Sequence, residues 1–238
     1  MALLRNPIRA LVGKSAGAVG QSIHSVSIVE MRPAEARRWH GLVQPVIQNN
    51  YVSSTSTASG RVRADWAWNW PRLRARAGLY NLLGSVARWG YVRSLCVVVD
   101  GPMHKAVPIG MLAAVPNLET TAFGVTEGRA FTWYLADAPK ELYTGVLGMP
   151  VLQDVARVLI DCSIQLALDG GYKGSLILHA SPAGGTRLQQ FYRSLGMQQL
   201  PSGAGAVTPL RFLHSTDEYF LFDDVQAAAF CGTFGGQR

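Results

Sequence analysis

Acidic side chains are scarce in this 238-residue chain. There are 15, against 22 basic ones, and none occurs before Glu30. Lysine is rarer still: four residues, with the other 18 cations being arginine. Cysteine appears three times, at Cys96, Cys162 and Cys231, with no CxxC and no cysteine–histidine spacing. That pattern gives neither a disulfide framework nor a zinc site, and it fits a reducing compartment, with the cytoplasm as the default. No run of 18 apolar residues exists, so no spanning helix is expected. The most apolar stretch, 151–168, is interrupted by Gln153, Asp154, Arg157, Asp161 and Gln165. HExxH, a P-loop and a Ser/His/Asp order are all missing. Charged residues are only 16% and hydrophobic ones 48%, which excludes wholesale disorder and allows a sizeable core. The net charge of +7 suits an anionic partner or a phosphorylated cofactor, although an arginine-rich composition alone gives the same number.

Residues 1–24 hold Arg5, Arg9 and Lys14 among glycines and serines. They read as a flexible basic tail, with a transit segment or a surface-lying helix as alternatives. Ser25 to Val29 alternates polar and apolar, as a strand does. Pro33 suits the start of a helix that runs to about Gln48 and buries Trp39, Leu42, Val43 and Val46. A loop covers 51–64. The segment 61–76 then places Trp66, Trp68 and Trp70 at alternate positions among Arg61, Arg63, Arg72, Arg74 and Arg76. Such a segment can stack on bases and grip phosphates. It can equally be a half-buried strand with its tryptophans turned to the core. A helix follows from Asn69 or Pro71 to Trp89.

Leu95–Val99 and Ala106–Val115 read as adjacent antiparallel strands about the turn at Asp100-Gly101-Pro102, and Phe131–Ala136 as another strand. A helix is expected from Pro150 to Asp169. Val151, Val155, Leu159, Cys162 and Leu166 lie on its core face; Gln153, Arg157, Asp161 and Gln165 lie on the solvent face. Ser175–Ala180 reads as a buried strand, followed by a short helix around Phe191 and Tyr192 that stops at Gly196. Strands around Leu210–His214 and Tyr219–Phe222 and a glycine-containing tail complete the order. Asp223-Asp224 reads as a solvated loop. The alternation of helices with mostly antiparallel strands is a mixed α/β fold, 25–238 forming one domain.

Two stretches carry a family resemblance. Gly170-Gly171-Tyr172-Lys173-Gly174-Ser175-Leu176-Ile177-Leu178-His179-Ala180 is one, and Leu188-Gln189-Gln190-Phe191-Tyr192-Arg193-Ser194-Leu195-Gly196-Met197 is the other. In this order and spacing they resemble the GCN5-related N-acetyltransferase (GNAT) superfamily, most clearly over about 130–200. The resemblance implies a mixed sheet that splits after its fourth strand, with acyl-coenzyme A in the opening. By that correspondence Trp133, Tyr134, Leu135 and Ala136 would line the pantetheine, with Phe191 near the cofactor. The family phosphate loop, Gln/Arg-x-x-Gly-x-Gly/Ala, corresponds to Val151–Ala156. Ala156 fits its last position; Val151 and Asp154 depart from it. A shifted loop using Gly145 and Gly148 is the alternative.

Tyr192 matches the family's general acid. Asp137, Glu119 and His179 are the candidate bases, with a water chain as a fourth route. The activity implied is acetyl transfer from acetyl-coenzyme A to a primary amine on a small molecule, a protein or a tRNA. Two other readings compete with it. One is a divergent member acting on nucleic acid through 61–76; the other is a binding module without catalysis. The acceptor would be shaped by 33–89. A homodimer through the apolar C-terminal strands is a further expectation.

Overall fold

The computed structural model describes residues 3–15, 21–53, 60–87, 90–202 and 218–238. In chain order, β1 (Ala10–Lys14) and β2 (Gln21–Glu30) precede α1 (Pro33–Arg38). A π-helical turn, Trp39–Val43, joins α1 to α2 (Gln44–Asn50), so one irregular helix runs from 33 to 50. Then come α3 (Trp70–Ala87), β3 (Arg93–Val99), β4 (Val107–Ala122) and β5 (Val125–Asp137). The single turn α4 (Lys140–Leu142) leads through a second π-helical turn, Tyr143–Leu147, to β6 (Val151–Leu152) and α5 (Val155–Asp169). The chain continues as β7 (Leu176–Ala180), α6 (Gly185–Ser194), β8 (Gln198–Gln199), β9 (Glu218–Phe222) and α7 (Asp224–Gly232).

The strands form one nine-stranded sheet in the order β6-β1-β2-β3-β4-β5-β7-β9-β8. Every neighbouring pair is antiparallel except β5 with β7. This is a mixed, mostly antiparallel sheet flanked by helices, as the sequence pattern implies. The β5–β7 ladder is short, matching Ala130, Phe131 and Thr132 with Leu176, Ile177 and Leu178. Beyond Thr132 the two strands part. Counted from β2, the split follows the fourth strand, as the resemblance implies.

α5 fits against the sheet because β4 offers Gly110 beneath it. A Cβ there would stand 2.9 Å from Val155 Cγ1. Thr132 and Ser163 share a buried hydrogen bond of 2.9 Å, which ties α5 to β5 where the split begins. Trp39 and Trp70 are fully buried and meet edge to face at 6.4 Å, joining α3 to the first helix.

Four expectations are corrected. Residues 1–24 are not simply a tail: Ala10–Lys14 is a strand paired on both sides, and Leu4, Ile8 and Leu11 are buried. The apolar residues between the basic ones outweigh the missing acids. The long helix begins at Val155 rather than Pro150, because Val151–Leu152 pair with Gly13–Lys14. Its polar stripe is not a solvent face. Asp161 is fully buried and accepts from Arg238 at 2.6 Å, and Gln165 is buried beside it. Finally, the strand at Tyr219–Phe222 is present as β9, but the chain after it is helical rather than a loop and a tail. Asp223 caps α7 by accepting from the Gln226 amide at 2.7 Å, which gives the Asp223-Asp224 pair a structural role. The strand expected at Leu210–His214 lies outside the described residues.

Candidate active site

The site begins with a fault in the β4–β5 register. Ala113 faces Tyr134 and Ala114 faces Thr132, so Trp133 is an extra residue, a β-bulge. The bulge brings two successive rings together: Trp133 and Tyr134 stack 5.5 Å apart at 24°. Trp133 meets Tyr80 of α3 at 5.3 Å, and Tyr134 meets Trp68 at 5.1 Å. From Trp133 to Asp137, β5 keeps β4 on one side and has no ladder partner on the other. Leu135 and Ala136 therefore sit on a strand edge whose alternate N–H and C=O groups face an opening.

Four groups meet at that opening. The first is the start of α5. Asp154 takes a left-handed conformation, φ +64°, and no side chain caps the helix. The first helical bond runs from the Val158 amide to the Asp154 carbonyl, so the first-turn amides, Ala156 among them, have no intrahelical acceptor. An N-terminus of this kind holds anions. The backbone at Asp154 thus adopts a shape that glycine usually supplies. The Asp154 carboxylate meets Arg157 at 3.4 Å.

The second group is Asp137, at the end of β5. Its side chain is 47% exposed, while protein crowds its other side. Burial raises its pKa; the Arg63 guanidinium opposes the shift and the Asp65 carboxylate adds to it. The third is Tyr192 of α6, buried between Phe191 and Phe220 at centroid distances of 5.5 and 5.3 Å. Burial first, and then the charge of Asp137, push its phenol well above the ordinary tyrosine value, so it keeps its proton at neutral pH. The fourth is Tyr143, whose buried hydroxyl has no hydrogen-bond partner. Burial and then Asp137 raise its pKa too. Nothing in the sequence singled out Tyr143, because its place depends on the π-helical turn after α4.

The other expected residues fall elsewhere. His179 stands one residue past the β5–β7 ladder, on the opposite lip, with its ring 5.3 Å from that of Tyr219. Glu119 does not reach the opening. β4 runs on to Ala122, so Glu119 pairs with Gly128, six residues from Tyr134, which is about 20 Å along the strand. Gly145 and Gly148 do not form a phosphate loop. They belong to the helical turn before β6, and the Gly148 and Met149 amides already bond the Tyr143 carbonyl. Phe191 lines a neighbouring cavity that Tyr192 does not line.

The segment 61–76 is spent inside the molecule. Trp70 is buried, and Trp68 packs against Trp70 and Tyr134. Arg63 makes a two-bond pair with Asp65, 2.8 Å each, and donates to the Asp137 carbonyl at 2.7 Å. Arg61 reaches Glu141 at 2.7 Å and lies 4.6 Å over the Tyr51 ring. These contacts take the rings and two of the cations away from a base-stacking surface, so the nucleic-acid reading is not favoured. Instead the segment walls the opening. The three cysteines are buried, and no group of three metal-ligating side chains occurs among the described residues. No helix among them is long and apolar enough to cross a membrane.

No family model matches the sequence, and neither does any curated protein. Among solved structures, the chain is similar to a GNAT-family acetyltransferase from Staphylococcus aureus MU50, with 10% identity and a TM-score of 0.46. That match covers 83% of this chain and 98% of the other. It is similar to the PaiA N-acetyltransferase from Thermoplasma acidophilum in complex with coenzyme A, with 12% identity, a TM-score of 0.45 and the same coverages. A GNAT-family acetyltransferase from Brucella melitensis in complex with acetyl-CoA is similar at 14% identity and a TM-score of 0.37, over 74% of this chain and 84% of that one.

Proposed function

We propose that this chain is an N-acetyltransferase that moves an acetyl group from acetyl-coenzyme A to a primary amine in the opening between β5 and β7. The observation that carries the reading is the meeting of an unpaired strand edge, an uncapped helix start and a buried protonated tyrosine. The residues fit the co-substrate. The first-turn amides of α5 would take the diphosphate, and the Trp133–Asp137 edge would pair with the amides of pantetheine. Asp154 supplies the backbone shape of the missing glycine, and Arg157 draws on its charge.

Acetyl-coenzyme A supplies a thioester carbonyl open to attack by nitrogen. Asp137 takes a proton from the incoming ammonium, and its raised pKa makes it a better base than an ordinary aspartate. As the C–N bond forms and the C–S bond breaks, Tyr192 gives its proton to the departing sulfur. The second proton of the new amide nitrogen restores the phenol through water. His179, on the opposite lip, would be the alternative base. Arg61, Tyr51 and Glu141 line the outer wall, where the acceptor would enter.

The melting temperature with acetyl-coenzyme A and with free coenzyme A tests binding. At ~100-fold saturation a native-state ligand adds about 2.7 kcal/mol, a rise of several degrees. No rise with either ligand overturns the reading. Acetylation of a panel of amines, followed by mass spectrometry, then tests chemistry. Tyr192→Phe should bind acetyl-coenzyme A normally and turn over about 100-fold more slowly.

A further inference from the structure

α3 turns one face to the sheet and the other to solvent. Trp70, Leu73 and Ala77 are buried on the inner face. On the outer face Arg72, Arg76, Leu79 and Leu83 recur at helical spacing, all exposed, with Leu82 beside them. The outer stripe is therefore cationic in the first half of the helix and apolar in the second. Leu79, Leu82 and Leu83 are each more than half exposed, and so is Tyr91.

Asn81 holds the chain around Tyr91 against this end of α3. The Val92 amide donates to Asn81 Oδ1 at 2.7 Å, and Asn81 Nδ2 donates to the Val92 carbonyl at 2.9 Å. Arg93, the next residue, is exposed as well. No ion pair among the described residues uses Arg72, Arg76 or Arg93. No acid occurs in the sequence from 66 to 99. Single exposed leucines are ordinary on a protein surface. Three on adjacent turns, with cations as the only charges on the same elements, mark a surface that meets something.

We propose that the outer face of α3 docks on an anionic phospholipid bilayer. Leu79, Leu82, Leu83 and Tyr91 enter the headgroup layer, and Arg72, Arg76 and Arg93 meet lipid phosphates. Charge decides the occupant. A second copy laid on this face would set Arg72 and Arg76 against a helix face that carries no acid, leaving their charge unmet. A bilayer offers both a fluid apolar layer, which fits side chains standing out from a convex helix, and a dense layer of phosphates. The arginine stems lie along the apolar layer while their guanidinium groups stay level with the phosphates. The helix lies on the surface and does not cross it, because its inner face is buried against the rest of the protein. The docking face does not depend on the acetyl-transfer reading.

The test is sedimentation of the whole protein with vesicles of phosphatidylcholine alone, and of phosphatidylcholine mixed equally with phosphatidylglycerol. Binding to the mixed vesicles about tenfold tighter than to phosphatidylcholine is expected, and it should weaken as salt is raised. Leu79→Ser with Leu83→Ser should weaken that binding about tenfold and leave the melting temperature unchanged, since both side chains already face water. Arg72→Gln with Arg76→Gln should remove most of the preference for mixed vesicles. Lys105→Gln with Arg187→Gln takes the same charge from exposed positions elsewhere and should bind as wild type does. Equal weakening by the two charge-removing pairs would reduce the effect to net charge and overturn the face. No binding to mixed vesicles, or binding indifferent to the leucine pair, would also overturn it. Sedimentation equilibrium without vesicles covers the other occupant. A dimer that the leucine pair dissolves would assign the face to a second copy and overturn the lipid reading.

Discussion

Arg63 carries more of the site than any other single side chain. Its guanidinium joins Asp65, the Asp137 carbonyl and the Asp137 carboxylate, and its own side chain is only 16% exposed. Arg63→Met would leave Asp65, 7% exposed, without its partner. Breaking a buried pair from one side costs about 3 kcal/mol, so urea unfolding should show a loss of that size. Glu141 sits at the rim and behaves differently. Burial raises its pKa, but the bonds from Arg61 and Tyr51 outweigh that, and the net direction is down. A lowered folded pKa means stability that is present above the unfolded value and lost as the pH falls through the folded one. Wild type should therefore melt higher than Glu141→Gln at pH 7, with the difference closing below about pH 4. A gap that stays constant across that range would show that the Arg61 contact is not electrostatic. Both residues were visible in the sequence as charges. Their partners were not, because Arg63 and Asp137 lie 74 positions apart.

At the scale of elements, the decisive piece is the junction of β6 and α5. The sequence reads as one helix from Pro150, since 151–168 is apolar at helical spacing. The strand β1 claims Val151 and Leu152 first, and the helix must start afresh at Asp154 in a left-handed turn. That restart is what leaves the first-turn amides uncapped. Asp154→Gly should test this. It relieves a strained backbone worth about 1 kcal/mol and gives up a half-exposed ion pair worth about as little. The melting temperature should move little, while the affinity for acetyl-coenzyme A should rise by about tenfold as a carboxylate leaves the anion site. Equal or weaker binding in the glycine variant would mean that the α5 start does not hold the diphosphate. The bulge at Trp133 is the other element-scale device. The run Phe131–Ala136 reads as a strand, but no pattern in those six residues marks which one is extra.

For the molecule as a whole, the sheet extends beyond the seven strands that run from β2 to β8 in the sheet order, with β1 and β6 added at one side. Leu4, Ile8 and Leu11 are 4%, 0% and 1% exposed, so the N-terminal segment is part of the core. Deleting residues 1–14 would uncover the β2 and β6 edges and the core surface that these three side chains cover. A loss of about 5 kcal/mol is expected in urea unfolding, with a greater tendency to associate through the bared edge. An unchanged melting temperature would return the segment to the status of a tail.

The sequence by itself determined the alternation of helices and strands, the mixed fold class and the place of Tyr192, because each rests on local periodicity and on turn residues such as Gly170, Gly171 and Gly196. It also placed Asp137 at a strand end. Only the tertiary structure decided that Glu119 lies far from the opening, that Gly145 and Gly148 have their turn's amides already in use, and that the Trp/Arg segment faces inward. Each of those depends on strand register, on a competing partner for a backbone amide, or on a contact between distant parts of the chain. Register, backbone competition and long-range pairing are set by the packing of the whole molecule, and a local pattern carries no record of them.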